Sequence, residues 1–166
     1  MGGIDAIRGK YDVITMFHVL EHLPSPVTAF KKLYEHLNAG GFVFIEVPWI
    51  ETKDASPHNI YFKAHTVYFS VDTLKSAASE YFDVVDVDTS SNLRIVFHLK
   101  DASSKLVLPT SGSVRALKKR IHSKGWFEYL LFGNGWYKPF QKLARAVDER
   151  KARGIKAKKI IDELVL

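Results

Sequence analysis

The sequence predicts an α/β fold in which parallel strands are followed by an antiparallel hairpin and by a helical C-terminal tail. Two apolar runs, Val13–Phe17 and Phe42–Pro48, are separated by a segment of helical spacing. A strand, a helix and a strand of this length imply a right-handed parallel crossover. Two later segments, 82–89 and 93–100, alternate apolar and polar residues around a Ser-Ser-Asn turn, which is typical of a hairpin that closes a sheet.

The composition is that of a globular domain. The chain has 166 residues, of which 46% are hydrophobic and 25% are charged, enough to bury a core. It has no cysteine, which excludes a disulfide, a thiolate zinc site and a cysteine nucleophile. No apolar run approaches the roughly 20 residues of a membrane span, and the first residues lack the apolar centre of a secretory signal. We therefore expect a soluble, cytoplasmic protein.

The positive charge is concentrated in the tail. Residues 1–112 carry ten Lys/Arg and thirteen Asp/Glu, whereas residues 113–166 carry fourteen and five. This distribution does not indicate a specific nucleic-acid-binding core. Any attraction to phosphate or to anionic lipid would act through the last third of the chain.

The first strand is predicted to lie centrally in the sheet, buried on both faces, because its residues are almost all apolar or β-branched. His18, Glu21 and His22 follow it at separations of three and four residues, which place them on one side of a helical turn. Ligands of open α/β sheets bind at the carboxyl ends of the strands. The two imidazoles and the carboxylate are therefore a candidate site.

Two helices are predicted from their caps. Ser25 caps the first, with Pro26 at its first position, and the glycines of Asn38–Gly41 are expected to end it. Ser70 caps the second helix, whose apolar stripe comprises Leu74, Ala77, Ala78 and Tyr81. Between the second strand and this helix, residues 49–69 show no periodicity and can fold over the sheet edge that carries His18.

The tail is predicted to follow a linker at Leu106–Ser113. We expect helices over Val114–Ile121 and Pro139–Leu166, separated by the aromatic stretch WFEYLLFGNGWYKPF. Two roles for this tail are open. A helix pair that covers the apolar face of the sheet is favoured, and binding to an anionic membrane surface is the second interpretation.

The order and wording of these elements resemble the second half of the class I S-adenosylmethionine-dependent methyltransferases. YDVITMFHVLEHLPSP resembles the fourth-strand motif of that superfamily, and LNAGGFVFIEVP resembles the fifth-strand motif. AHTVYFSVDTLKSAASEYFDVVDV is similar to the segment in which a His and a Tyr-Phe-Ser precede the next helix. The likeness covers roughly residues 11–100, and the nearest branches are ubiquinone-pathway-type O-methyltransferases and sugar C-methyltransferases. It divides the chain into half a methyltransferase domain, residues 1–105, and the basic tail, residues 113–166.

The resemblance implies roles for particular residues. Met16 and Phe17 would contact the cofactor S-adenosylmethionine. The positions of His18, Glu21 and His22 match a metal-binding set, in which the imidazoles would favour zinc over magnesium.

A histidine at the position of His65 belongs to the active site in the sugar branch. His65, His18 and His22 are thus the candidate bases for removing an acceptor proton, and Tyr61 and Tyr68 are candidates for lining the acceptor pocket. Structural roles for these side chains, in backbone hydrogen bonds or in the core, remain the competing interpretation.

One family feature is missing from the sequence. Methyltransferases of this class hold the cofactor with a glycine-rich loop and a ribose-binding acid, and this chain contains neither. We therefore expect a fragment, a truncated product or a chain completed by a partner. The first strand would then be an edge that pairs in a homodimer or with a partner chain.

Two functions follow. The first is methyl transfer to a small-molecule acceptor, at oxygen more than at carbon. The second is a non-catalytic binding or assembly module.

Overall fold

The computed structural model describes residues 8–55, 61–133 and 135–152. Four strands form one sheet in the order β1-β2-β4-β3. Two helices lie between the strands, and three further helices form the tail. In chain order the elements are β1 (Tyr11–Phe17), a single 3-10 turn (Leu20–His22), α1 (Pro26–Glu35), β2 (Leu37–Val47), α2 (Val71–Ala78), β3 (Phe82–Asp88), β4 (Leu93–Leu99), α3 (Ser111–Ser123), α4 (Trp126–Phe132) and α5 (Lys138–Ala152).

The predicted α/β class and strand directions are confirmed. β1 and β2 are parallel, with Val13 opposite Phe42 and Phe17 opposite Glu46. β4 is antiparallel to both β2 and β3, so the chain ends its sheet with a hairpin. Because β4 runs backwards, the start of β4 lies at the same edge as the ends of β1 and β2. This edge carries the candidate site.

One face of the sheet is covered and the other is open. Alternate side chains of β2 and β4, such as Ile45 and Phe97, are fully buried in one core with Phe30 and Leu33 of α1 and Leu74 of α2. The prediction that the first strand is buried on both faces is wrong. β1 pairs only with β2 among the described residues, and Val13 and Phe17 are exposed on the open face. The apolar composition of β1 does not distinguish an edge strand from a central one.

The caps were predicted correctly, but the start of β2 was not. Ser25 Oγ accepts from Thr28 N at 3.3 Å, and Ser70 forms a capping box with Thr73. α1 ends at Glu35, and the glycine segment forms an irregularity inside β2 rather than a helix stop. Gly40 adopts a φ of 72°, which a glycine tolerates, and this allows β2 to leave and rejoin its ladder with β1.

The tail attaches to the loop after β2. Arg120 reaches the Glu51 carbonyl at 3.4 Å, Lys124 donates to the Ile50 carbonyl at 2.9 Å, and Lys138 binds the Asp54 carbonyl. These contacts lie beyond the end of the sheet, so the described tail does not cover the open face, contrary to the favoured interpretation. α3 starts at Ser111, inside the predicted linker.

The aromatic stretch between the predicted tail helices contains α4, which was not predicted. The expected helix over Pro139–Leu166 is described as far as residue 152, and the remainder lies outside the described residues. Among the helices that the structure describes, none combines the length and the apolar composition needed to cross a bilayer.

A candidate active site at the carboxyl edge of the sheet

The chain turns sharply where β1 ends. His18 has a φ of 52°, in the left-handed region that few residues other than glycine adopt and that histidine enters more often than most. Its backbone N–H donates to the carbonyl of Glu46 at 2.9 Å, which holds the turn against β2. The 3-10 turn Leu20–His22 follows immediately and directs Glu21 inward.

Glu21 is a buried carboxylate surrounded by histidines. Its side chain is 1% exposed, and Oε1 lies 3.3 Å from Nδ1 of His18, 3.9 Å from Nε2 of His65 and 4.0 Å from Nε2 of His22. The 3.3 Å contact lacks hydrogen-bond geometry, and neither oxygen has a hydrogen-bond partner in the described part of the chain. Burying such a group is costly unless a charge or a proton compensates it. His18, His22 and His65 are placed to supply such a charge when one of them is protonated.

Hydrogen bonds to the turn fix the loop that carries His65. Thr66 N and Thr66 Oγ1 both donate to the Glu21 carbonyl at 2.9 Å. His22 Nδ1 lies 2.9 Å from the Ala64 carbonyl, which can only accept, so Nδ1 carries the proton. In a neutral His22 the lone pair is consequently on Nε2, the atom that faces Glu21. Residues 61–69 thus fold over the edge, in line with the prediction for residues 49–69, of which residues 56–60 lie outside the described part of the chain.

His65 is the most enclosed of the three histidines. Its side chain is 14% exposed and lies edge-on to the rings of Phe62 and Tyr68, at centroid distances of 5.0 and 5.7 Å. Burial lowers the pKa of His65 below 6.5, and the Glu21 carboxylate opposes that shift. A neutral imidazole at physiological pH is suited to accept a proton.

A second polar group joins β2 to β4 beside His18. Arg94 Nε donates to Glu46 Oε2 at 2.7 Å, and Asn92 Nδ2 donates to Glu46 Oε1 at 2.8 Å. These bonds, Arg94 first, lower the pKa of Glu46. His18 Nε2 lies 3.3 Å from Glu46 Oε1, so His18 bridges two carboxylates. Sequence reasoning did not single out Glu46, although its place at the end of an apolar strand repeats the signal that identified His18.

A cavity of about 320 Å³ opens beside His65. Its wall combines the end of β2, the loop over the edge, the β3–β4 turn and the tail. Lys124 lies in this wall, and burial lowers the pKa of its ammonium. Nothing in the local sequence marks Lys124, because its position depends on how the tail returns. The lining residues include Trp49, Thr52, His65, Tyr68, Asn92 and Lys124.

The structure separates the other predicted site residues. Phe17 is 55% exposed and lies 5.3 Å from the ring of Phe44, at the open edge. Met16, the other residue predicted to contact the cofactor, lies on the opposite face of the strand and packs in the core. Tyr68 lines the cavity, whereas Tyr61 is exposed and packs edge-on against Tyr68.

The residues that could hold a metal ion differ from the predicted set. The ligand atoms that lie within 4.8 Å of one another belong to Glu21, His22 and His65. His18 is replaced in this group by His65, because the loop over the edge directs His65 at the inner side of Glu21. A carboxylate and two imidazoles are a donor set that suits zinc.

A family model described as a methyltransferase domain matches residues 3–87, just over half of the chain. This chain belongs to the methyltransferase domain family. The match ends inside β3, so it includes the turn with Glu21 and the loop with His65 but not the β3–β4 turn or the tail.

Curated relatives are methyltransferases of more than one kind. A tRNA U34 carboxymethyltransferase of Campylobacter fetus is 33% identical over 87 residues, which are 47% of this chain and 31% of that protein. A ubiquinone biosynthesis O-methyltransferase of Shewanella halifaxensis is 42% identical over 40 residues, 24% of this chain and 17% of that protein. The methyltransferase domain therefore aligns with less than a third of the length of these relatives.

Among solved structures, TehB of Haemophilus influenzae aligns with a TM-score of 0.42 and 18% identity, over 60% of this chain and 40% of that one.

Proposed function

We propose that this methyltransferase domain takes part in S-adenosylmethionine-dependent methyl transfer to a small-molecule acceptor, at oxygen in preference to carbon. The observation that supports this most is the enclosure of a low-pKa histidine, His65, between a buried carboxylate and a cavity of about 320 Å³. Family membership supports the reaction class. The relatives include a tRNA enzyme and a quinone-pathway enzyme, so they do not identify the acceptor.

His65 acts as the general base in this proposal. Bound S-adenosylmethionine supplies an electrophilic methyl group at its sulfonium. Transfer of that methyl carbon to the acceptor oxygen would break its bond to sulfur and release S-adenosylhomocysteine, and the acceptor proton would pass to the neutral imidazole of His65. Glu21, 3.9 Å away, then stabilises the imidazolium. The loop and the tail hold the acceptor in line, which is the larger part of such catalysis.

The exposed ring of Phe17 fits one wall of a cofactor site at this edge. The 166 residues contain no GxGxG segment, so the proposal requires a glycine-rich loop from a further part of the protein or from a partner chain.

An NMR titration with S-adenosylmethionine tests the cofactor site, on protein that includes the glycine-rich loop, supplied either in the same chain or by the partner chain. We expect saturable shifts of backbone amides at Phe17, His18 and Asn92, because these residues meet at the carboxyl edge. The Phe17→Ser variant should weaken them, and Val85→Ser, which alters a residue of equal exposure on β3, should not; Phe17 and Val85 are 55% and 57% exposed. Shifts confined to other regions, or none at millimolar ligand, would favour the assembly module.

A divalent metal is a second candidate occupant of the edge. The observation that favours it is the buried Glu21 carboxylate, whose oxygens have no hydrogen-bond partner in the described residues and whose Oε1 lies 4.0 Å from Nε2 of His22 and 3.9 Å from Nε2 of His65. Glu21, His22 and His65 would hold the ion, which would act as a Lewis acid on the acceptor oxygen. His65 cannot then be the base, so the two proposals exclude each other.

Measuring the metal content of the protein distinguishes the metal site from the proposal that His65 is the general base. If the metal proposal is right, protein dialysed against zinc retains one equivalent by mass spectrometry, and Glu21→Gln loses it while Glu35→Gln keeps it. Retention by Glu21→Gln, or transfer activity insensitive to a chelator, would dismiss the metal.

A further inference from the structure

We propose that α4 and α5 form a docking surface for an anionic lipid bilayer. The surface consists of the large apolar side chains that these helices and their connection turn toward solvent. Its exposed members are Trp126, Phe127, Leu130, Leu131, Phe132, Trp136, Tyr137, Phe140, Leu143 and Val147.

α4 turns its apolar side toward solvent, unlike an ordinary surface helix. Its one acidic residue, Glu128, faces the protein, where Arg120 binds both of its oxygens at 2.6 and 2.8 Å. The outward side carries Phe127, which is 74% exposed, and Leu131, which is 56% exposed. A surface helix in water normally presents its polar side outward. α4 therefore presents the face that an apolar medium would cover.

α5 carries a second exposed row of apolar side chains. Phe140, Leu143 and Val147 recur at spacings of three and four residues and are all exposed, with Leu143 at 66%. Lys138, Lys142 and Arg145 recur at the same spacings on the other side of the helix. This is the pattern of a helix that lies in a bilayer interface with its apolar side down. The aromatic residues of the α4–α5 connection suit the same depth, because Trp and Tyr prefer the headgroup region.

Charge favours lipid over a second copy of the chain. Residues 111–152 contain ten Lys/Arg and three Asp/Glu, and the Arg120–Glu128 ion pair occupies one of each, which leaves nine basic and two acidic residues. Two such surfaces brought together would place like charges side by side, whereas an anionic bilayer attracts each Lys or Arg near its surface. An exposed apolar patch of this extent marks an interaction site, and the basic setting selects an anionic partner.

The test is co-sedimentation of the full chain with vesicles. Vesicles of equal parts phosphatidylglycerol and phosphatidylcholine should pull the protein down, and pure phosphatidylcholine should do so much less. Phe127→Ser combined with Leu131→Ser should weaken binding by at least about tenfold, since each substitution removes a large apolar side chain from the contact. Val85→Ser is the matched control. Lys142→Glu combined with Arg145→Glu should weaken binding too, and high salt should weaken binding of the wild-type chain because it screens the charges.

Circular dichroism of each variant checks that the fold survives, as expected because all four substituted tail residues are exposed. The proposal is overturned if the wild-type chain stays in the supernatant with anionic vesicles, or if the Phe127/Leu131 double variant binds them as well as wild type does. A lipid-independent dimer that this double variant dissociates, without vesicle binding, would assign the surface to a second copy instead.

Discussion

At the scale of single residues, the site depends on how Glu21 is compensated. Its carboxylate is buried among three imidazoles, so each histidine can respond to the charge on the others. Desolvation and the neighbouring histidines lower the pKa of His65, and Glu21 raises it; desolvation is the largest of these effects. The net effect lowers the pKa of His65 and so favours its neutral form, while Glu21 remains a counter-ion for the protonated form.

A pH titration of His65 by NMR measures this balance. Its midpoint should lie below 6.5, because burial disfavours the imidazolium. Glu21→Gln removes the carboxylate that raises the pKa of His65, so the midpoint should fall further. A His65 whose folded pKa is depressed costs stability as the pH falls below 6.5, and the variant should be the more acid-sensitive. A midpoint above 6.5, or one that rises in Glu21→Gln, would contradict the proposed role of Glu21.

The sequence predicted some of these residues and not others. His18, Glu21 and His22 follow an apolar strand, and His65 lies in a loop that leaves the same edge, so topology alone brings them together. Asn92 and Arg94 reach the edge because β4 is antiparallel, and their hydrogen bonds to Glu46 depend on register between strands far apart in sequence. Such register is set by tertiary packing and is not written in local spacing.

At the scale of elements, β2 and β4 are joined by the Glu46–Arg94 ion pair at the edge. Glu46→Gln should lower the free energy of unfolding by about 1 kcal/mol, a modest value because Arg94 is 35% exposed and solvent screens the pair. The pKa of Glu46 is depressed below 4.5, so its contribution is present above pH 4.5 and is lost as the pH falls through the lower folded pKa.

Urea unfolding at two pH values checks this, with Glu35→Gln as control. The difference between wild type and Glu46→Gln should shrink at the acidic pH. If the difference in unfolding free energy between wild type and Glu46→Gln grew as the pH fell, the proposed contribution of the Glu46 carboxylate would be contradicted.

The glycine segment of β2 offers a second test at this scale. A Cβ on Gly41 would lie 2.9 Å from the Asn38 carbonyl oxygen and 3.1 Å from that of Asp12. Backbone atoms cannot move aside cheaply, so Gly41→Ala should destabilise the fold by about 1–3 kcal/mol. Gly112→Ala, where the nearest atom is 3.7 Å away at the start of α3, should be neutral or slightly stabilising. Equal unfolding midpoints for the two variants in urea would show that the close approach at Gly41 is absent.

Local chemistry explains which elements were foreseen. Ser25 and Ser70 cap their helices through hydrogen bonds three residues along, a pattern visible in sequence. The glycines after α1 were expected to stop a helix, and they instead allow β2 to begin early, because pairing with β1 outweighs local preference. α4 was missed since its few residues are apolar on most sides and carry little periodicity.

At the scale of the molecule, β1 is a sheet edge with apolar side chains. Among the described residues it pairs on one side only, and Val13 and Phe17 are exposed. An apolar edge of this kind promotes pairing with another strand. We expect the chain to be a dimer, or to aggregate, in sedimentation equilibrium, and Val13→Lys should shift it toward monomer while Val85→Lys should not. A monomer at high concentration would argue against this edge as an interface.

Methyl transfer itself tests the proposed site most directly. Full-length protein is incubated with tritiated S-adenosylmethionine and a small-molecule extract, and label in the extract is counted for wild type, His65→Ala and His98→Ala. His98 lies on the same sheet and packs on Phe42. If His65 is the base, His65→Ala should lower transfer at least about a hundredfold and His98→Ala should leave it unchanged. No transfer by the wild-type protein, or His65→Ala activity within about tenfold of wild type, would contradict the proposed mechanism.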